Sequence, residues 1–407
     1  MAALALGSGS AKLIGIASTV LLTRLYGPED YAVLAIYSAL VNITAPMLSL
    51  RYALAVPLPR TSTLAANIFA ASLFLVLAIG VLLGLVIWAW GPQLLSLMSM
   101  EALIPWRGLV IVGGVAVALY DLLGMWATRQ HAFPALAKTQ VLQSLAGESL
   151  KLILGLVNLR HMGLIIGQIV SQSGGVGTLS FRFRQDYLQL RRHISVRRAT
   201  LALRHFSSFP IYRLPSQILL IGSAQAPVVL SAVYFGKEET GQLALAFTAL
   251  AVPTTLMADS TGRAYFASIS KLGRRQPKAI RELTLSILRR VFLLSLPPTL
   301  IIGLGGQKIF SLAFGERWGQ AGQFSSALAV LMVAQFMNRA TVSYMMSVFG
   351  GERQVLYLNV QRVILTVGCF WIGHIAGLGM LTTLFTYAVV LSIHYLIGIS
   401  LAFSKAR

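Results

Sequence analysis

The residues in this sequence most able to do chemistry are ionisable side chains that fall inside long apolar runs. A charge at the centre of a membrane span costs roughly 2.5 to 3.5 kcal/mol on insertion scales, so each one needs a partner, a polar cavity or a route to the lipid headgroups. Most of them are cations, which favours recognition of an anion. The set is Lys12, Asp121, Glu148, Lys151, Arg213, Asp259, Arg263, Arg339 and Arg362.

Two pairs among these charges can neutralise each other. Glu148 and Lys151 are three residues apart, and Asp259 and Arg263 are four apart, so each pair shares one face of a helix. Two interpretations stay open for both pairs, a self-satisfied ion pair and a functional site. Candidates for coupling transport to an ion are Asp121, Glu148, Lys151 and Asp259.

Three cations, Lys12, Arg213 and Arg339, have no carboxylate within one helical turn. Lys12 and Arg213 occupy comparable places in the first span of each half of the chain. If they face the interface between the halves, they give a cavity whose positive charge suits pyrophosphate or another anion. The alternative is that both side chains snorkel to the headgroups. Arg362 is predicted to be an interfacial anchor.

No constellation for catalysis or metal binding is present. The six histidines are scattered without HExxH spacing, and Gly7–Lys12 lacks the spacing of a Walker A loop and follows no strand. We expect the small residues there, and Gly174 with Gly175, to serve close helix packing. The sequence therefore predicts a protein that is not an enzyme, with no cofactor, no metal and no ATP site.

The elements that must position these residues are membrane spans. Apolar residues form 56% of the 407 and charged residues only 11%, a composition that a soluble domain could not tolerate on its surface. A span needs about 20 apolar residues. That length predicts twelve helices, over Ala3–Leu25, Tyr31–Ala55, Leu64–Trp90, Gly108–Thr128, Leu136–Val157, Met162–Phe181, Phe209–Val233, Leu243–Ile269, Leu285–Phe310, Ala321–Val348, Val355–Gly373 and Gly377–Phe403.

The basic residues predict the orientation of these spans. With the N-terminus in the cytoplasm, the basic polar stretch 182–208 and most other Lys and Arg lie on the cytoplasmic side. The opposite side receives only Arg24, Arg107, Arg160, Lys237, Lys308 and Arg317. We therefore expect both termini in the cytoplasm. The positive-inside rule also accounts for the net charge of +21, so the sequence excludes nucleic acid as a partner.

The two halves of the chain resemble each other. Tyr26–Asp30 and Phe235–Glu239 form similar turns, each followed by an apolar span with a proline, Pro46 or Pro253. Since each half has six spans, the pattern predicts a parallel repeat, with residues 1–181 and 209–407 as two helical bundles and 182–208 as a cytoplasmic linker. In transporters built this way, the substrate site lies between the repeats, and one half rocks against the other.

Short segments spread along both halves of the chain carry a family resemblance: Leu22–Tyr31, Ala45-Pro46, Leu50–Ala55, Phe209-Pro210, Leu296–Pro298, Phe314–Trp318 and Ala321-Gly322. Together they resemble polysaccharide transporters, the Wzx-like O-antigen flippases of the multidrug/oligosaccharidyl-lipid/polysaccharide exporter superfamily. The resemblance covers essentially the whole chain. Almost nothing precedes the first span, where the family has a basic lead, which suggests a truncated start or a variant gene.

The resemblance implies an all-α inner-membrane protein with two six-helix bundles around a V-shaped central cavity. It implies transport of undecaprenyl-pyrophosphate-linked oligosaccharide, a repeat unit of O-antigen (lipopolysaccharide) or exopolysaccharide, from the cytoplasmic to the periplasmic leaflet, with other polysaccharide assembly proteins as candidate partners. On the spans that line this cavity in the family, the candidates are Lys12, Asn42, Arg51, Arg213, Asp259 and Arg263. Arg339, which has no carboxylate within one helical turn in the sequence, is added to them.

Two other functions remain as alternatives. A cation-coupled multidrug exporter of the same superfamily would need carboxylates in its cavity, and only Asp121, Glu148 and Asp259 lie within spans. A membrane-embedded polysaccharide polymerase or ligase would be an enzyme with a large periplasmic loop, and every predicted outer loop here is short.

Overall fold

The computed structural model describes residues 2–273, 276–349 and 351–405, with side chains described except at 2–6, 252–260, 263, 264, 267, 270, 343, 347, 352 and 405. Helices make up nearly all of this part of the chain, and it contains no strand, so the predicted all-α class is confirmed. The α-helices are α1 Ala2–Leu25, α2 Pro28–Leu48, α3 Ser62–Leu97, α4 Gly108–Arg129, α5 Phe133–Leu156, α6 Arg160–Ser173, α7 Gly175–Arg182, α8 Arg184–Leu190, α9 Val196–His205, α10 Leu214–Tyr234, α11 Lys237–Leu272, α12 Pro277–Phe314, α13 Gly319–Phe349, α14 Glu352–Ile375 and α15 Met380–Lys405.

Short helical turns connect several of these helices. Four of them are 3₁₀ turns and one is a π turn. The 3₁₀ turns are Tyr52–Ala55, Glu101–Trp106, Arg191–His193 and Glu316–Trp318, and the π turn is Phe209–Arg213.

The chain forms two compact units, Met1–Gly222 and Ser223–Arg407. In the N-terminal unit, α4 packs on α2, α3 and α6, and α5 packs on α1 and α6. In the C-terminal unit, α13 packs on α11, α12 and α15, and α15 also packs on α14. Four of the five N-terminal pairs, counted along each half, therefore recur in the C-terminal unit, as a repeat predicts. The extensive contact of α1 with α5 has no counterpart of that extent between α10 and α14. The predicted boundaries at 181, 208 and 209 stay a prediction.

The repeated turns also lie at equivalent points. Gly27 precedes α2 and Gly236 precedes α11, so each turn ends at the start of the second long helix of its unit. Asp30 turns back to accept a hydrogen bond from the Gly27 amide at 3.1 Å. Gly236 has a φ of +92°, where a side chain would be strained, whereas Gly27 has a φ of −90°. Only the second turn therefore depends on glycine for its conformation.

Large apolar side chains cover the outside of the long helices. Trp88 on α3 is 71% exposed and Leu304 on α12 is 89% exposed. Continuous apolar surface of this kind is stable only in an apolar solvent. In the described part of the chain, seven helices are long and apolar enough to cross a membrane: Pro28–Leu48, Ser62–Leu97, Gly108–Arg129, Phe209–Tyr234, Pro277–Phe314, Arg353–Ile375 and Met380–Ser404.

Two predicted spans are interrupted in the structure. The second was expected to continue to Ala55, but α2 ends at Leu48 because Leu50 and Arg51 have left-handed backbone angles, with φ of +45° and +63°. The sixth was expected as one helix and is divided at Gly174 into α6 and α7. At this break a Cβ on Gly175 would lie 2.6 Å from the ring of Tyr120, so the predicted packing role is confirmed at Gly175. It is also confirmed at Gly7, where a Cβ would lie 2.6 Å from Ala137, but not at Gly9, where a Cβ would meet nothing within 4 Å.

Two glycines let α12 and α13 touch through their backbones. A Cβ added to Gly322 would lie 2.3 Å from the carbonyl oxygen of Gly306 and 2.6 Å from the Cα of Gln307. These are backbone atoms, so a side chain at 322 forces the helices apart. Small residues at membrane helix contacts allow this close approach.

We predict that Gly322→Ala lowers the thermal stability of the detergent-solubilised protein. Gly303→Ala on α12 is the matched control, because its Cβ would have Ala329 Cβ as its nearest neighbour at 3.8 Å, an ordinary contact. The measurement is the melting temperature of both variants and the unaltered chain. Equal melting temperatures of the two variants would show that the close backbone contact does not stabilise the protein.

Candidate functional site

A buried ion pair in the N-terminal unit ties three helices together. Lys151 Nζ lies 2.8 Å from Glu148 Oε1 and donates a second hydrogen bond to Gln168 Oε1 of α6 at 2.8 Å. Ser18 of α1 donates to Glu148 Oε2 at 2.7 Å. Each charge therefore has its opposite and a further polar partner, which is the condition under which buried charges are tolerated. This geometry favours the interpretation of Glu148 and Lys151 as a self-satisfied pair.

A second group of charges, the Arg51 cluster, consists of Arg51, Asp121, Arg213 and Gln217 of the N-terminal unit. Arg51 Nη2 donates a hydrogen bond to Gln217 Oε1 at 3.0 Å. The guanidinium is half-buried and within electrostatic range of the Asp121 carboxylate, which attracts it, and of Arg213, which repels it. Three residues that the sequence predicted separately, Arg51, Asp121 and Arg213, are therefore neighbours.

Unusual backbone positions Arg51 and Arg213. Arg51 has left-handed angles (φ +63°, ψ 6°), a conformation that costs a non-glycine residue of order 1–3 kcal/mol and is found most often at functional sites. Arg213 ends the π turn that begins at Phe209, where Pro210 has no amide hydrogen to donate to the normal helical pattern. Its guanidinium lies 4.6 Å from the centre of the Phe209 ring. The stacking holds an exposed cation in a fixed place.

The Arg51 cluster has the composition of an anion site. It contains two guanidinium groups, one carboxylate and one amide, so its formal charge is positive. Arg51 Nε is buried and has no hydrogen-bond partner among the described residues. A guanidinium with an unused donor can bind phosphate or carboxylate oxygens in a fixed geometry.

The C-terminal unit contains a cavity of about 250 Å³, the arginine cavity, whose wall includes Arg339 and Arg362. Arg339 is exposed on α13 and Arg362 is half-buried on α14. Arg362 Nη2 donates a hydrogen bond to Ser223 Oγ of α10. α10 therefore supplies Arg362 with a polar partner inside the helical unit, and its predicted role as an interfacial anchor stays a prediction.

The rest of the wall combines polar groups with aromatic rings. Tyr387 and Tyr395 of α15 are each 8% exposed in this wall, which also includes Ser223. Asn338, which is not part of the wall, donates a hydrogen bond to the Tyr395 carbonyl at 3.4 Å. No acidic side chain is in the wall as far as the structure describes it. Two guanidinium groups beside apolar and aromatic surface suit an amphipathic anion. The remaining wall residues are Ala224, Gln225, Val228, Phe247, Leu250, Ala251, Leu328, Leu331, Met332, Gln335 and Phe336.

The other predicted site residues are not brought into these groups. Lys12 is exposed on α1, and no hydrogen bond or ion pair joins it to the Arg51 cluster among the described residues. Asn42 is half-buried on α2. Asp259 and Arg263 have side chains outside the described residues, so their pairing stays a prediction.

Sequence reasoning missed the polar partners of the arginines. Gln217 and Ser223 are uncharged and lie in an apolar run, where nothing in their spacing distinguishes them from packing residues. The left-handed turn at Leu50 and Arg51 also lacks the glycine or asparagine that normally indicates one. A mid-helix Arg without a carboxylate nearby, as at Arg362, was the available signal for the arginine cavity.

Comparison with known proteins identifies the kind of protein to which this architecture belongs. The family described as "Polysaccharide biosynthesis protein" matches residues 21–323. No curated protein sequence matches the chain.

Three solved structures of similar fold have at most 15% identity to the chain and therefore bear on the fold alone. The lipid II flippase MurJ in an inward closed conformation has a TM-score of 0.72 at 10% identity, covering 100% of this chain and 90% of its own. An inward-facing multidrug resistance MATE family transporter of the MOP superfamily has a TM-score of 0.69 at 15% identity. The match covers 100% of this chain and 94% of that transporter. A MOP superfamily transporter from Pyrococcus furiosus, described as having a binding pocket of reverse polarity, has a TM-score of 0.60 at 15% identity. The match covers 100% of this chain and 95% of that transporter. The predicted two-lobed helical transporter fold is confirmed.

We predict that Lys151→Ala destabilises the protein by about 3 to 5 kcal/mol, because it leaves the buried Glu148 carboxylate without a counter-charge. Lys138→Ala removes an exposed lysine from the same helix and is the matched control. The double variant Glu148→Gln with Lys151→Met removes both charges and should recover much of the loss. The free energy of unfolding in detergent is measured for all three variants. Equal stability of the two lysine variants would contradict a structural role for the pair.

Proposed function

Since the chain belongs to the polysaccharide biosynthesis protein family, we propose that it is a flippase that moves polyprenyl-pyrophosphate-linked oligosaccharide across the bilayer by alternating access. The family and the folds of MurJ and of the MATE transporters already indicate a multi-pass membrane transporter or flippase rather than an enzyme. Our proposal adds the substrate and the direction, from the cytoplasmic to the periplasmic leaflet of the bacterial inner membrane. The oligosaccharide would be a repeat unit of O-antigen or of an exopolysaccharide.

The observation that carries this proposal is the arginine cavity. Guanidinium groups within an apolar helical unit are rare and typically mark a substrate or ion site. Pyrophosphate offers several acceptor oxygens for charge-assisted hydrogen bonds, and the apolar and aromatic wall offers contact to the uncharged parts of the same molecule. Arg339 and Arg362 would bind the phosphates in the C-terminal unit, and Arg51 and Arg213 would do so in the N-terminal unit.

The other predicted residues are assigned secondary roles in this proposal, in substrate contact and ion coupling. Lys12, Asn42, Asp259 and Arg263 stay candidate contacts to the substrate. Asp121 would fix Arg51 between binding events and is the carboxylate best placed to couple transport to an ion, because Glu148 is committed to Lys151. Both termini would lie in the cytoplasm, as the positive charge of the segment 182–208 indicates.

A cation-coupled drug exporter is the second candidate, supported by the fold of the MATE transporter and by the exposed Asp121 carboxylate on α4. A drug cation would be repelled by two arginines in a cavity wall, whereas a sugar-linked pyrophosphate would be attracted. The two candidates therefore predict opposite substrate charge.

The test is flipping of a labelled polyprenyl-pyrophosphate oligosaccharide by the reconstituted protein, with a cationic dye as the rival substrate and with or without an imposed ion gradient. Arg339→Gln should slow flipping of the sugar-lipid by roughly tenfold to a hundredfold, the range that follows from losing one charge-assisted hydrogen bond. Arg353→Gln on α14 removes an exposed arginine outside the cavity and should leave the rate unchanged.

Two results would contradict the proposal. Equal flipping rates in Arg339→Gln and Arg353→Gln would remove the arginine cavity from the mechanism. Movement of the dye under an ion gradient, without movement of the sugar-lipid, would favour the exporter.

A further inference from the structure

A cleft of about 660 Å³ opens in the N-terminal unit between α3, α4, α7 and α8, and we call it the apolar cleft. Its wall is almost wholly apolar, with Phe69, Leu73 and Leu119 among its members, and its charged members are Arg184 and Arg191. It shares no residue with the Arg51 cluster. From its shape and charge we propose that this cleft binds one anionic phospholipid, with an acyl chain inside and the headgroup phosphate on the two arginines.

The length of the cleft matches one leaflet. It extends along α4 from Leu119 to Trp126, and α4 ends at Arg129. The ten steps of the helix from residue 119 to residue 129 correspond to about 15 Å. The hydrocarbon core of a bilayer is about 30 Å thick, so the cleft reaches from the membrane boundary to about the midplane. A single acyl chain of the adjacent leaflet occupies that depth.

Aromatic rings form the wall near the polar end. Phe69 stacks on Tyr187 with ring centres 5.0 Å apart, and Trp126 lies 5.4 Å from Phe69 and 5.6 Å from Tyr187. Tryptophan and tyrosine prefer the boundary between hydrocarbon and headgroups. This cluster therefore places the mouth of the cleft at headgroup level.

The charge at the mouth is positive. Arg184 and Arg191 are exposed, and the Arg184 guanidinium lies 4.2 Å from the centre of the Phe181 ring, which holds it in place. The nearby carboxylate of Asp186 is engaged by other groups, because it accepts hydrogen bonds from Trp126 Nε1 at 3.4 Å and Gln130 Nε2 at 3.3 Å. Basic pockets between membrane helices typically bind anionic lipid headgroups. Charge complementarity therefore selects an anionic phospholipid over a neutral one.

Bound lipid would join the linker to the helical bundle. Tyr187 and Arg191 belong to the segment after α7, whereas Phe69 and Trp126 belong to α3 and α4. A lipid that contacts both sets would stabilise their association. This inference does not depend on the proposed transport function, because the site is separate from the arginines assigned to the substrate.

The experiment is native mass spectrometry of the full chain in neutral detergent, titrated with phosphatidylglycerol or phosphatidylcholine. Arg184→Ala with Arg191→Ala should weaken phosphatidylglycerol binding by roughly tenfold to thirtyfold, at about 1 kcal/mol per arginine near the surface. Arg197→Ala with Arg198→Ala is the matched control, since it removes two exposed charges from α9 outside the cleft.

A second pair of variants tests the acyl chain. Ala70→Trp fills the cleft and should weaken binding of phosphatidylglycerol, whereas Ala78→Trp places the same side chain at an exposed position of α3 outside the cleft. Equal binding by the two arginine variants, equal binding by the two tryptophan variants, or no preference of the unaltered chain for phosphatidylglycerol would overturn the proposal. Displacement of phosphatidylglycerol by equimolar polyprenyl phosphate would also overturn it and assign the cleft to a transport substrate.

Discussion

An ionisable group inside an apolar helical bundle has no water to solvate it, and this constraint organises the polar chemistry of the chain. Each such group needs a counter-charge, a set of hydrogen-bond donors and acceptors, or a ligand. Glu148 and Lys151 satisfy it internally, with Ser18 and Gln168 completing the network. Arg51 and Arg362 satisfy it with neutral oxygen atoms, those of Gln217 and Ser223, and keep their positive charge.

The neutral ion pair and the arginines with uncharged partners have different roles. A neutral pair such as Glu148 and Lys151 offers nothing to an ion that arrives from outside, but it fixes α5 against α1 and α6. Arginines with amide or hydroxyl partners retain an attraction for anions. Family and fold thus agree on a membrane transporter or flippase, and in our proposal the cationic groups give it a preference for an anionic cargo. The apolar cleft applies the same rule at the membrane boundary, where Arg184 and Arg191 face headgroups rather than cargo.

The fold could be predicted from the sequence because it follows from long apolar runs and short polar turns, which local composition records. The repeat was visible as well, since Gly27 and Gly236 stand at the same point of each half. The sites were predicted less completely, because they depend on which faces of distant helices meet. Nothing near Arg51 in the sequence indicates that Asp121 and Gln217 are its neighbours, and nothing near Arg362 indicates Ser223. Charged residues within apolar runs indicated the positions of candidate sites in the sequence. The neutral residues that hold those charges in place could not be distinguished from packing residues.

The most direct measurement of the central claim changes the cargo and leaves the protein unaltered. The same labelled oligosaccharide is attached to a polyprenyl chain either through pyrophosphate or through an uncharged ether, and the flipping rates in proteoliposomes are compared. If cationic groups recognise the linkage, the pyrophosphate form should move at least about tenfold faster, the factor that corresponds to about 1.4 kcal/mol. Equal rates for the two compounds would contradict the account, because the arginines would then have no part in selecting the cargo.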